Sequence, residues 1–368
     1  MASHAPFRAD EVGSLLRPPA LKEARAKFAE KKIGAAELKQ VEDACIRDVV
    51  AHQERVGLKA ITDGEFRRSW WHFDFLGALE GVELVKGEKT IQFHGVQTRA
   101  ESLNIHGKVV FGKHPMLEHF KFLKAATKGV AKMTIPAPSV LHFRGGRASI
   151  SKTVYPSLDN FFADTAEAYR KAVRAFYDAG CRYLQFDDTV WAYLCSEKER
   201  KAAKERGDDP EPLQKIYADM INHAVKDKPK DMVVTTHVCR GNFRSSWISE
   251  GGYEPVAETL LAKTNYDGYF LEYDTERAGG FEPLRFLPKG NKRVVLGLIT
   301  SKFGELETKD AIKRRIDEAT KFVALDQLCL SPQCGFASTE EGNILSDAEQ
   351  WKKLERVVEM AKATWGEV

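Results

Sequence analysis

Four residues far apart in the chain have side chains that could share one cation. His237 and Cys239 stand two apart at the end of the apolar run Met232–Thr236, and residues i and i+2 of an extended segment project to the same side. Alone they are a weak signal and read first as a buried histidine and an inert buried thiol. Cys334 follows another apolar run and adds a second soft thiolate, and Glu272 follows a third and adds a carboxylate oxygen. Histidine, cysteine, glutamate and cysteine together make a tetrahedral zinc set. A zinc hydrolase would need ligands rich in His and Asp to activate water, so two cysteines point to thiol chemistry instead.

These residues need a scaffold that brings strand ends together. Short β-rich runs alternate with longer segments of helical period, as in parallel strands joined by crossover helices. The runs are Asp10–Gly13, Ala60–Thr62, Lys132–Ile135, Arg182–Phe186, Met232–Thr236, Gly268–Leu271, Arg293–Leu298 and Gln327–Leu330. Helices are expected at Glu37–Val56, Leu158–Ala179, Glu211–Val225, Val256–Ala262, Lys309–Ala324 and Ser346–Trp365. About eight such units in a chain of this size predict an α/β fold of the (β/α)8 TIM-barrel type, whose active site lies where the strands end. Ser14 follows the first run, Asp63-Gly64-Glu65 the second and Asp187-Asp188 the fourth; His237, Glu272 and Cys334 follow the fifth, sixth and eighth. Val82–Gly112 breaks the alternation and reads as a small antiparallel β insertion after the second strand, with turns at Lys86-Gly87-Glu88 and His106-Gly107-Lys108. No repeat or linker marks a second domain, so residues 1–368 are expected to form a single catalytic barrel. Lys198–Pro212 reads as a charged, solvated helix-to-loop segment.

Composition narrows the partners. Of 368 residues, 56 are Lys or Arg and 53 are Asp or Glu, and the resulting net charge of +3 gives no reason to expect nucleic acid or an anionic membrane. No run approaches a membrane span and the first residues do not look like a signal peptide, so the expected location is the cytoplasm. The six cysteines lie in a chain too large to need stapling and are read as free thiols, some of them metal ligands. Oligomeric state stays open, a homo-oligomer included.

Several segments resemble the catalytic barrel of cobalamin-independent methionine synthase: THVCRGNF (Thr236–Phe243), FLEYD (Phe270–Asp274), LGLITSK (Leu296–Lys302) and SPQCG (Ser331–Gly335). Upstream, VGSLLRP (Val12–Pro18), DGEF (Asp63–Phe66) and LQFDDT (Leu184–Thr189) resemble the family's glycine-serine, glutamate and aspartate segments. The resemblance covers essentially the whole chain and matches a short, single-barrel branch. It implies zinc on His237, Cys239, Glu272 and Cys334, with homocysteine held through its ammonium by Glu65 and Asp187 and through its carboxylate by Ser14 and nearby N–H groups. An amino-acid zwitterion needs just such carboxylates on one side and neutral donors on the other. Two structural readings stand beside this: Asp187 or Asp188 capping the following helix, and Glu65 pairing with Arg67 or Arg68.

The implied activity is S-methyl transfer to homocysteine from 5-methyltetrahydrofolate or a methylcorrinoid. Zinc lowers the pKa of the thiol, Glu272 is the exchangeable ligand, and a nitrogen leaving group needs a proton donor. Where the family carries an aspartate and a histidine after the seventh strand, this chain has Thr300-Ser301-Lys302, so Lys302 is the candidate proton donor, with an exposed lysine as the alternative. PAPSVLHFR (Pro136–Arg144) resembles the family's folate loop but lacks its tryptophan. Trp70, Trp71 and Trp191 could supply another ring-binding surface, and Asp188 or His72 another proton. Two other readings are alkyl transfer to a different thiol such as coenzyme M, whose sulfonate two carboxylates would repel, and a non-catalytic zinc-binding barrel.

Overall fold

A computed structural model describes residues 4–86, 92–93, 96–97 and 101–368. In chain order the strands are β1 (Ala60–Ile61), β2 (Glu80–Lys86), β3 (Gln92–Phe93), β4 (Val96–Gln97), β5 (Glu101–Val110), β6 (Val130–Pro136), β7 (Tyr183–Asp187), β8 (Val233–Val238), β9 (Gly268–Glu272), β10 (Arg293–Ile299) and β11 (Leu328–Pro332). Seven of them form one parallel sheet in the order β1-β6-β7-β8-β9-β10-β11. Strands β7, β9 and β11 are buried at every position, which explains their almost unbroken apolar sequence: a parallel sheet is covered on both faces. The sheet curls into the α/β barrel of TIM type that the alternation of runs predicts.

The eighth place belongs to the N-terminal segment, which is not a regular strand. Ala9 makes a single parallel bridge to Leu330, and Leu15 N–H donates to the Gly64 carbonyl on the other side, at 3.1 Å. A strand over Asp10–Gly13 fails for a local reason. The Asp10 carboxylate takes the N–H groups of Phe7 and Glu11, and Gly13 adopts φ +146°, so the backbone turns where a ladder would need it straight.

Helices pack outside. Leu158–Asp178 opens on a Ser157 cap and buries Phe161, Tyr169, Ala172, Val173 and Phe176 at helical spacing. Asp347–Trp365 begins with a full capping box between Ser346 and Glu349. The helix expected to reach Ala324 stops at Ala319, where the Thr320 hydroxyl turns back onto the Asp317 carbonyl. Within Val82–Gly112, β2 pairs antiparallel with β5. The expected turn at His106-Gly107-Lys108 is instead a bulge inside β5, lodged against Gly81, whose φ of +81° and contact with the Lys108 carbonyl leave no room for a side chain. Gly87 and Glu88, the other expected turn, lie outside the described residues. None of the described helices is long and apolar enough to cross a membrane.

Candidate active site

Parallel strands all end on the same side, and there the chain gathers its unusual side chains. His237 is the last residue but one of β8, Cys239 lies just beyond that strand, Glu272 at the end of β9 and Cys334 just beyond β11. Their ligand atoms all lie within 4.8 Å of one another and all four residues are buried. His237 Nε2 is 3.4 Å from Cys334 Sγ, and Cys239 Sγ is 3.5 Å from it. A tetrahedral site with bonds of about 2.0–2.3 Å has edges of about 3.3–3.8 Å, so these separations suit a metal ion. Glu272 Oε1 accepts the Arg240 N–H at 2.9 Å, while Oε2 is buried with no hydrogen-bond partner, as a ligand atom awaiting a cation would be.

The electrostatics fit the same use. Burial by itself would raise the Cys334 thiol, but the hydrogen bond with Cys239 and the charge of His237 outweigh it and hold Cys334 well below the usual thiol range. Burial and the neighbouring Cys334 push the Glu272 carboxyl up to about 7. A cation at the centre would favour the anionic, ligating form of both groups.

His237, Cys239 and Cys334 of the cluster line a cavity whose wall also includes Ser14, Glu65 and Asp187. Glu65 sits in the left-handed region at φ +59°, with its N–H on Asp63 Oδ1 at 2.8 Å and its carbonyl on the buried Arg17 guanidinium. This unusual backbone turns its carboxylate into the barrel, where it accepts from the Thr134 hydroxyl and pairs with Arg68. Gly13 is required opposite: a Cβ there would stand 2.6 Å from Glu65 Oε1. Asp187 Oδ1 accepts from Gln185 Nε2 at 2.8 Å, and burial pushes its carboxyl up against the opposing pull of His237 and Arg68. Ser14 Oγ receives the Ala337 N–H at 3.3 Å and lies against Gly335, next to the Cys334 loop.

The remaining expected residues fall elsewhere. Lys302 is fully buried and does not line the cavity; its ammonium donates to the Gly241 and Ser246 carbonyls and to Asn242 Oδ1, all at 3.1–3.2 Å. Ser301 reaches Gln333 Oε1 and the Gly335 carbonyl. The Thr300-Ser301-Lys302 segment thus braces the loops that carry Cys239 and Cys334. Asp188 accepts from Ser139 and from the Val190 N–H at the start of a short helix, which is the capping role weighed for it. Trp70 and Trp71 line the cavity, whereas Trp191 is fully buried outside its lining. Residue types and spacing did not single out Arg144 or Asn242 in the wall, nor Arg68 beyond a surface pairing. The adjacent pair Arg67-Arg68 was the available signal for the last of these: Arg67 turns outward to Glu42 and Asp43, and Arg68 inward to Glu65.

The profile of the cobalamin-independent synthase catalytic domain matches residues 7–363. The chain belongs to this family. YxjH of Bacillus subtilis strain 168 is 52% identical over 362 residues, which is 98% of this chain and 95% of that protein. The crystal structure of a Listeria monocytogenes relative is 50% identical, covers 99% of both chains and superimposes with a TM-score of 0.81. A B12-independent methionine synthase from Shewanella sp. W3-18-1, solved with selenomethionine, shares the fold at 21% identity, with 97% of each chain covered and a TM-score of 0.72. In this cobalamin-independent synthase domain, then, the cluster able to hold a metal and the acidic wall meet in one cavity at the strand ends.

Proposed function

We propose that the chain is a zinc-dependent S-methyltransferase that takes homocysteine as acceptor and a methylfolate or methylcorrinoid as donor. The observation that carries this is that the cluster of His237, Cys239, Glu272 and Cys334 borders, through His237, Cys239 and Cys334, a cavity that also presents Ser14, Glu65 and Asp187. Zinc held by those four residues supplies the Lewis acidity that makes a thiolate available at neutral pH.

The protein's own residues supply the positioning. Glu65 and Asp187 hold the ammonium of the amino acid, and Ser14 with the N–H groups beside it holds the carboxylate, so the sulfur is presented toward the thiolate cluster. Arg68 pairs with Glu65 and holds its side chain in place before the substrate arrives. Lys302 and Ser301 hold the two ligand-bearing loops at a fixed separation. In the transfer the sulfur lone pair forms the new C–S bond as the methyl group's bond to the donor breaks. The departing electron pair stays on the donor, on cobalt or on a nitrogen that takes up a proton. Because the Lys302 ammonium is committed to three acceptors behind the wall, we assign it to loop positioning.

The test incubates zinc-loaded protein with homocysteine and with mono- and polyglutamyl methylfolate, methylcobalamin or S-methyl compounds, and measures methionine. Methionine formation from any of these supports the acceptor assignment and names the donor. Stoichiometric zinc with no homocysteine binding would overturn it in favour of a non-catalytic barrel.

A further inference from the structure

Next to the cluster, and outside the lining of the cavity, lies a cation with nothing to hold. Arg240 is almost wholly buried, and its guanidinium Nε, Nη1 and Nη2 have no hydrogen-bond partner among the described residues. Its backbone, by contrast, is fixed at both ends: the N–H donates to Glu272 Oε1 at 2.9 Å, and the carbonyl accepts from the N–H groups of Ile248 and Ser249 at 2.9 and 3.0 Å. The guanidinium lies 4.5 Å from the centre of the Tyr253 ring, and the Tyr253 hydroxyl donates to the Glu272 carbonyl at 3.3 Å, so one tyrosine touches both residues. Burial works against the charge of Arg240, and Tyr253, Cys195 and Glu272 work for it; of these three only Glu272 is a carboxylate. The Lys302 ammonium, whose charge also reaches Glu272, already has three acceptors. Five N–H donors in one plane are costly to bury unmatched, and the face of a ring offsets only part of that cost. Glu272 Oε2, for its part, is buried without a partner as well.

We propose that Arg240 is a positioning residue whose guanidinium receives the Glu272 carboxylate when a thiolate takes that side chain's place in the cluster. The inference rests on the reading of Glu272 as the exchangeable ligand of a thiol methyltransferase, and it adds where the displaced charge goes. The carboxylate already sits on the Arg240 N–H, so a pivot about that contact turns Oε2 from the cluster to the guanidinium while Oε1 keeps its donor. A planar fork matches both oxygens of a carboxylate at once. Without it, the displaced side chain would be a buried, unpaired charge that returns to the cluster and expels the thiolate. Arg240 is unmatched before the exchange and matched after it, so it shifts the equilibrium toward the thiolate-bound state and acts on affinity for the thiol rather than for the metal.

The test is a double-mutant cycle on the zinc-loaded full chain, with homocysteine binding read by calorimetry and zinc affinity read against a chelator in the absence of any thiol. Arg240→Met keeps the length of the stem and removes the charge. It should bind homocysteine about tenfold to a hundredfold more weakly than the parent, as loss of a charge-assisted contact implies, while zinc affinity stays as in the parent. In the Glu272→Gln background the same substitution should change homocysteine affinity by less than about twofold, because no carboxylate is left to receive. Where Arg240→Met is too unstable to titrate, Arg240→Lys, which keeps the charge and loses the fork, goes through the same cycle, with a smaller loss expected beside Glu272 and none beside Gln. Unchanged homocysteine affinity on substitution of Arg240, or an equal loss in both backgrounds, would overturn the proposal and leave the methyltransferase reading intact. Weaker zinc binding without thiol would overturn it as well, by tying the guanidinium to the resting cluster. Should the parent not bind homocysteine, the functional reading fails on its own account; 2-mercaptoethanol then serves as the thiol, and the same cycle decides whether Arg240 receives the carboxylate. A cluster that admits neither thiol overturns both.

Discussion

Charge is buried at both ends of this barrel, and the two ends treat it in opposite ways. Near the strand starts, the Lys132 ammonium donates to Asp10 Oδ1 at 3.1 Å and to the Glu11 carbonyl, and it lies over the rings of Tyr183 and Phe270. Asp10 in turn accepts from Phe7 N–H, Glu11 N–H and the Tyr183 hydroxyl at 2.8–3.0 Å. At the strand ends, Glu272 Oε2 and His237 Nδ1 are buried without partners, and two thiols crowd each other beside an open cavity. A buried charge that the protein satisfies by itself holds the fold together; one left short of partners beside a cavity is set aside for a ligand. The contrast matters because both clusters would look equally unusual in a sequence.

The largest effect expected from breaking this contrast is at the strand ends. Cys239→Ser or Cys334→Ser should lower zinc from one per chain to below about a tenth and cut methyl transfer by at least about a thousandfold. Thermal unfolding of the metal-free variants should match that of the metal-free parent, because the fold does not depend on these thiols. Full zinc occupancy by metal analysis in both variants would remove the ligand assignment.

At the strand starts the expectation is reversed. Lys132→Met strands Asp10 in the barrel interior and should cost about 3–5 kcal/mol of stability with no change in zinc content of the folded fraction. Denaturant titration beside metal analysis reads both, and a variant as stable as the parent would mean that the Lys132–Asp10 pair holds nothing.

Glu11 sharpens the comparison through pH. Burial pushes its carboxyl up to about 8 in the folded protein, partly offset by Lys132. The folded state therefore binds a proton that the unfolded state has released between about pH 4.5 and pH 8, and stability falls as pH rises through that window. Against Glu11→Gln, which does not titrate, the parent should lose a few kcal/mol of stability between about pH 5 and pH 9. A difference that stays flat with pH would show that Glu11 is ionised in the folded state throughout.

The smallest effect falls on the acidic wall. Glu65→Gln and Asp187→Asn should each weaken homocysteine binding by about tenfold to a hundredfold and leave zinc in place, since each loses one charge-assisted contact to an ammonium. Unchanged affinity in both would reopen the choice between an amino-acid thiol and an anionic one such as coenzyme M.

Much of this was legible in one dimension because parallel strands end together. Runs such as Leu184–Phe186 and Leu328–Leu330 announce buried strands, and a side chain directly after such a run has to stand at the barrel mouth, which groups Ser14, Glu65, Asp187, His237, Glu272 and Cys334. The irregular first segment was less legible, since its departure from a strand depends on the Asp10 carboxylate capturing its neighbours' N–H groups.

The sequence by itself determined the barrel, the order of its units and the four residues able to hold a metal, because each of these follows from local periodicity and from residue type. Only the tertiary structure decided how the charges pair. Nothing in the string RRSWW separates Arg67, which faces outward to Glu42 and Asp43, from Arg68, which enters the cavity beside Glu65. Nor does it show that Lys302 points behind the wall at three acceptors while Arg144 lines the cavity with its Nε unpartnered among the described residues. The physical reason is that a long cationic side chain takes its direction from whichever acceptors the fold brings within reach, and those acceptors lie far from it in the chain: Lys302 finds its own some sixty residues upstream.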